Sequence, residues 1–183
     1  MEDKKLLIIV DMQNDFVTGS LANKEAQAIV KPICDFIKHW PGDIEVTRDT
    51  HHSDYLDTNE GKHLPVPHCL ENTGGWCVVD DIVKTLNSLE KEYFYIDKTT
   101  FGTDYWGEPE YNDYNEFVLV GTCTDICVIA NAMMIKTLYP EATVKVISTL
   151  CAGVTPYKHE CALEVMRSCQ IEVEEEYSGE LNS

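Results

Sequence analysis

Positive charge is what this sequence has least of: 14 Lys and Arg stand against 32 Asp and Glu, a formal net charge of -18. A surface this acidic repels phosphate backbones and anionic headgroups, which argues against nucleic acid and membrane surfaces as partners. Long apolar runs are missing too. The longest, at 6–10 and 126–135, fall far short of the roughly 20 residues that span a bilayer, and Asn131 interrupts the second. No basic n-region, apolar h-region and small-residue cleavage site follow one another at the start, so a cytoplasmic protein is expected. Paired CxxC spacings are also absent, which excludes a zinc ribbon. Cysteine itself is plentiful, with eight residues, but 183 residues at 44% hydrophobic content can bury a core unaided. The cysteines therefore read as free thiols, not as a disulfide framework.

What remains is a strict alternation. Short apolar or β-branched runs occur at 6–10, 43–47, 93–96, 117–121, 143–147 and 171–175. Between most of them lie stretches with helical spacing. One stripe holds Ile29, Ile33, Phe36, Ile37 and Trp40; a second holds Ile82, Leu86 and Leu89. A third carries Ile126, Ile129, Met133 and Leu138, and a fourth Cys161, Leu163, Val165 and Met166. Strands alternating with helices predict an α/β fold: a three-layer αβα sandwich around a mainly parallel, six-stranded, Rossmann-like sheet. The first run is apolar throughout and belongs at the centre; the last alternates with acids and belongs at an edge. Pro32 should kink or split the first long helix. A single domain over 1–183 is expected, with one irregular loop at about 47–80, crowded with His, Pro, Gly and acids. The acidic tail reads as a solvated, frayed end.

Ligands of open α/β sheets bind beyond the carboxyl ends of the strands. Those ends carry Asp11 in DMQNDF, Asp49 in TRDTHH, Lys98 in IDKTTFGT, and GTCTDIC, which turns into a helix bearing Cys127. A carboxylate, a lysine and a cysteine converging there suit nucleophilic catalysis, with the lysine and the helix N-terminus favouring the thiolate. Taken singly, each has a plainer reading: Cys127 as a core thiol, Asp11 as a helix cap, Lys98 as a surface lysine. Four of the six His fall between residues 51 and 68 with acids between them, which favours a metal site. A calcium loop at DMQND is excluded, because no Gly follows at the sixth position and no Glu at the twelfth.

The segments DMQNDF, KTTFG and VGTCTDICV, with TRDTHH…EGKHLPVPHC and CAGVTP, resemble the isochorismatase-like cysteine hydrolases, within them the nicotinamidase branch. The resemblance runs from about residue 6 to 171. It implies Cys127 as nucleophile, Asp11 as general base and then acid, and Lys98 as the third triad member. It also implies a cis peptide near Thr122–Cys123, with the backbone N–H groups of Cys123 and Cys127 as oxyanion hole. One divalent metal ion, zinc with iron or manganese as alternatives, would be held by Asp49, His51 and His68, with Glu60 binding directly or through water. Gln13 and Phe16 would line the substrate pocket. The implied reaction is hydrolysis of a small aromatic primary amide, most simply nicotinamide, through a thioester, by a homo-oligomer. Two alternatives remain: a related hydrolase of carbamoyl or ureido substrates, and a non-catalytic binding module on the same fold. Isochorismatases proper cleave a vinyl ether and lack the nucleophilic cysteine, so Cys127 argues against them.

Overall fold

The computed structural model describes residues 4–181. In chain order the strands are β1 (Lys5–Val10), β2 (Asp43–Asp49), β3 (Tyr93–Lys98), β4 (Glu116–Thr122), β5 (Thr143–Ala152) and β6 (Glu172–Glu174). The helices are α1 (Asn14–Val17), α2 (Lys24–His39), α3 (Asn59–His63), α4 (Asp80–Asn87), α5 (Ile129–Leu138) and α6 (Pro156–Ser168). The strands form one sheet in the order β3-β2-β1-β4-β5-β6, with every adjacent pair parallel.

The period-two geometry of a strand sends neighbouring side chains to opposite faces, and β1 shows the result. Leu7 and Ile9 pack with Ile29, Ile33 and Ile37 of α2 and Ile82 and Leu86 of α4. Leu6, Ile8 and Val10 pack on the other face with Ala132 and Ile135 of α5 and Leu163 and Met166 of α6. Both faces of β1 are therefore covered, as its unbroken apolar run requires. Among the described residues no helix is long and apolar enough to cross a membrane.

Four expectations need correcting. The helix containing Pro32 runs unbroken from Lys24 to His39; Pro32 lies on its exposed side, where water can satisfy the carbonyl that the missing N–H leaves free. Val165 and Cys161 do not belong to the buried stripe of α6. Val165 is 50% exposed and Cys161 is exposed, and Ala162, Leu163 and Met166 face the core instead. The loop at 47–80 is not structureless, since it contains a 3-10 turn at Tyr55–Asp57 and the single turn of α3. The acidic tail is docked at least as far as Ser178. Tyr177 packs edge-on against Phe36 and Trp40, its hydroxyl donates to Glu116, and Ser178 bonds Glu174.

Gly121 is the one strand position that only glycine can fill. Its φ of 118° lies in the left-handed region, and a Cβ there would sit 2.2 Å from the carbonyl oxygen of Val10. At this residue the β4–β5 register slips, and two residues later the Thr122–Cys123 peptide is cis. The strand order reverses between β1 and β4, so the topological switch point lies where Asp11 and Cys123–Cys127 leave the sheet.

Candidate active site

Asp11 follows β1 with a φ of 49°, a left-handed conformation that aspartate tolerates better than most residues. Its N–H donates to the carbonyl and hydroxyl oxygens of Thr47, each at 3.2 Å, and the Thr47 hydroxyl donates to Oδ1 at 2.7 Å. Lys98, from the end of β3, reaches across β2 so that Nζ lies 2.6 Å from Asp11 Oδ2. Both side chains are buried. The contact is a close, buried ion pair. Lys98 also donates to Thr100 O at 3.3 Å and lies 3.8 Å from Asp49 Oδ1.

Cys127 lies in a π-helical turn, Thr124–Val128, between β4 and α5, and is buried. Burial holds its thiol well above the ordinary cysteine range. The negative charge of Asp11 adds to the effect, and Lys98 opposes it only in part. Burial beside Asp11 thus works against the thiolate, and Lys98 works for it. Burial likewise raises the Asp11 carboxyl against the pull of Lys98. For Lys98, burial lowers the ammonium pKa, but the negative charges around it, that of Asp11 first, more than reverse it, and the net shift is upward.

A second cluster adjoins the first. Asp49 Oδ2 lies 3.0 Å from His51 Nε2 and 3.4 Å from His68 Nε2, and Glu60 Oε1 lies 3.6 and 3.7 Å from the same two nitrogens. Four donors around a divalent ion at about 2.0–2.2 Å would stand roughly 3.3–3.6 Å apart. This donor set therefore fits such an ion. His68 Nδ1 faces Val66 O at 2.9 Å; donating there leaves the Nε2 lone pair toward the cluster. Rings support it: Tyr55 stacks edge-on against both histidines, and Phe16 against His68. The other two loop histidines lie elsewhere, His52 pairing with Glu71 and His63 bonding Asn59 O.

Gln13 differs from its expected role. Its amide is consumed by backbone: Nε2 donates to Asp49 O and Trp76 O, and Oε1 accepts from the Asp49 N–H, each at 2.8 Å. It fixes Asp49 and has little left to offer a substrate. Asp15 pins the loop, accepting from the N–H of Cys69 at 2.8 Å and of Ser20 at 3.2 Å. Arg48 does so from the other side, its guanidinium lying between the rings of Trp76 and Tyr95 while it pairs with Asp97 at 2.6 and 2.9 Å. Thr47, Arg48 and Trp76 carry no sequence signal of their own. Strand register brings the first two into play: β1–β2 pairing sets Thr47 opposite Val10, and β2–β3 pairing sets Arg48 opposite Asp97 and Asp49 opposite Lys98.

Doubly wound topology with a buried cluster of titratable groups at the switch point defines an α/β enzyme. Comparison with known proteins makes this specific. The family model described as the isochorismatase domain matches residues 5–175, and the chain belongs to that family. It is 30% identical over 185 residues to the nicotinamidase of Saccharomyces cerevisiae, covering 76% of this chain and 85% of that one. The crystal structure of the nicotinamidase/pyrazinamidase from Bacillus subtilis superposes with a TM-score of 0.80 at 25% identity, covering 93% of this chain and 99% of the other. The pyrazinamidase of Pyrococcus horikoshii, determined in complex with zinc, gives a TM-score of 0.75 at 26% identity, covering 93% and 98%.

Proposed function

We propose that this protein hydrolyses nicotinamide to nicotinate and ammonia, with Cys127 as nucleophile, Asp11 as the proton-transferring group and Lys98 as the cation that holds Asp11 in place. The observation that carries the reading is the buried Asp11–Lys98 pair at 2.6 Å, whose charges act directly on the Cys127 thiol. Burial and Asp11 both disfavour the thiolate, so deprotonation would accompany attack. Asp11, the carboxylate whose charge acts most strongly on that thiol, is the acceptor for it. As the sulfur–carbon bond forms, the carbonyl electrons move onto oxygen, and the backbone N–H groups of Cys123 and Cys127 would receive that charge. Asp11 then returns the proton to the departing ammonia and later takes one from the water that cleaves the thioester. Lys98 keeps its charge throughout and lowers the energy of each state in which Asp11 is ionised.

Asp49, His51, His68 and Glu60 would hold one divalent ion, zinc in the first instance, and Phe16 borders it. With Glu60 binding through water, such an ion would have room for the pyridine nitrogen and so would orient the ring. The cluster favours nicotinamide over carbamoyl or ureido substrates, which have no ring nitrogen to present. Acidity and the absence of a spanning helix among the described residues support a cytoplasmic setting, and the family resemblance supports a homo-oligomer. The decisive experiment is ammonia release by zinc-loaded protein from nicotinamide, benzamide and ureidoacrylate. Nicotinamide is expected to exceed benzamide at least about a hundredfold, the cost of misplacing the amide by roughly 1 Å. Comparable turnover of both amides would overturn the ring-nitrogen reading, and preference for ureidoacrylate would favour the alternative substrate class.

A further inference from the structure

Asn131 is fully buried on α5, four residues after Cys127, among Val128, Ala132 and Ile135. An amide in an apolar face is costly unless its hydrogen bonds are made, and here they are. Nδ2 donates to Cys127 O at 2.8 Å and to Phe101 O at 3.1 Å, while Oδ1 accepts from the indole N–H of the buried Trp106 at 2.8 Å. The indole can only donate, so it fixes which end of the amide is oxygen and directs both amide hydrogens to the two carbonyls.

Those carbonyls belong to different parts of the site. Cys127 O is the backbone of the turn that carries the thiol. Phe101 O follows Lys98 by three residues, on the segment in which Thr100 O receives the Lys98 ammonium at 3.3 Å. The turn itself has left the α-helical ladder, with the Val128 N–H reaching back to Cys123 O at 3.0 Å. A side chain from the first turn of α5 therefore joins the backbone of the thiol turn to the segment after β3.

We propose that Asn131 is a positioning residue that sets the Cys127 turn against the Lys98 segment, with Trp106 fixing its orientation. The inference rests on the Cys127–Asp11–Lys98 reading, and its test separates the two. Asn131→Asp keeps the size and the acceptor for Trp106 but turns an oxygen toward two carbonyl oxygens. Asn131→Leu removes all three bonds. Trp106→Phe leaves Asn131 in place and removes only its orienting donor.

In zinc-loaded full-length protein, kcat for nicotinamide should fall roughly 10- to 100-fold in either Asn131 variant, with KM held within about threefold, because the defect is in alignment and not in ring binding. Trp106→Phe should show a smaller loss of the same pattern, and it and Asn131→Asp carry the test if Asn131→Leu does not fold. Alkylation of Cys127 by iodoacetamide, followed by peptide mapping, is the readout that needs no substrate. A loosened turn exposes the thiol, so the rate should rise at least about threefold in Asn131→Asp. A folded Asn131→Asp with kcat within twofold of the parent, a loss confined to KM, or an unchanged alkylation rate would overturn the proposal. If the parent protein fails to turn over nicotinamide, the substrate reading falls, and the alkylation rates still decide the role of Asn131.

Discussion

Lys98→Met removes the ammonium and keeps an unbranched apolar stem of similar reach. Asp11 is then left buried, held by the Thr47 hydroxyl at 2.7 Å and facing the charge of Asp49. Removing one partner of a buried ion pair costs about 3–5 kcal/mol, and at about 2–4 °C per kcal/mol for a chain of this size the melting temperature should drop roughly 6–20 °C. The pH dependence is more telling than the drop. In the parent, the pKa of Lys98 is raised on folding, so its stabilisation is fully present below the ordinary value of 10.5 and is lost only as pH rises through the folded value. In the variant, only the Thr47 hydroxyl opposes the burial that raises Asp11. Its folded state favours the neutral acid, and the deficit grows as pH climbs above the ordinary 3.8 of an aspartate. Thermal melts of both proteins at pH 5 and pH 8 should therefore diverge more at pH 8. Turnover should fall on the order of a thousandfold, since a protonated Asp11 accepts nothing. A melting temperature within about 2 °C of the parent at both pH values would refute the buried-pair argument at the cost stated for it.

Cys127→Ala should abolish ammonia release while costing no more than about 1–2 kcal/mol in a chemical melt, because one small side chain is lost; retained turnover would remove Cys127 from the chemistry. With a brief exposure to iodoacetamide at neutral pH, the exposed Cys77 and Cys161 should be modified before Cys127, whose thiol is held protonated by burial and by Asp11. Peptide mapping decides this, and Cys127 reacting first would restore the preformed thiolate. Burial raises the Glu45 carboxyl to about 7, with Tyr111 donating to both its oxygens, so the stability it confers when protonated is lost as pH rises from about 4.5 through 7. Glu45→Gln should remove that loss and raise the melting temperature at pH 8 by a few degrees, at about 2–4 °C per kcal/mol; an unchanged pH profile would contradict it.

The strands were legible because their information is local. The apolar run at 6–10 and the acid-interrupted run at 171–175 each announce their depth in the sheet by composition alone, and β1 and β6 lie where that composition puts them. Asp11, Lys98 and Cys127 could be brought together on paper because each sits just beyond a strand end, and parallel strands deliver their ends to one side. Pairwise facts were not legible. Nothing in the spacing of Gln13 says that its amide will be spent on the Asp49 backbone, and nothing in the order of His51, His52, His63 and His68 says that the first and last alone will face Asp49. Asn131 read as a flaw in an apolar run, because the three groups that satisfy it come from positions 101, 106 and 127. The surroundings of the thiol were not legible for a related reason. A nearby lysine and a helix start can be counted along the chain, whereas complete burial beside Asp11 is a tertiary property that opposes both.

Asp49 is where the two halves of the site meet. Its Oδ1 lies 3.8 Å from the Lys98 ammonium, while Oδ2 faces His51 at 3.0 Å and His68 at 3.4 Å. Gln13 grips its backbone from both N–H and carbonyl and so fixes where its Cα stands. Around it three carboxylates, Asp11, Asp49 and Glu60, share one ammonium, an excess of negative charge that a divalent ion would balance. Stripping the ion would therefore do more than remove the position for the ring nitrogen. It would leave Asp49 competing with Asp11 for Lys98, the interaction on which the proposed proton transfer depends. Chelation should accordingly slow benzamide as well as nicotinamide. The part of the nicotinamide loss that exceeds the benzamide loss then measures the ring contact alone, and the shared part measures what Asp49 transmits to Lys98.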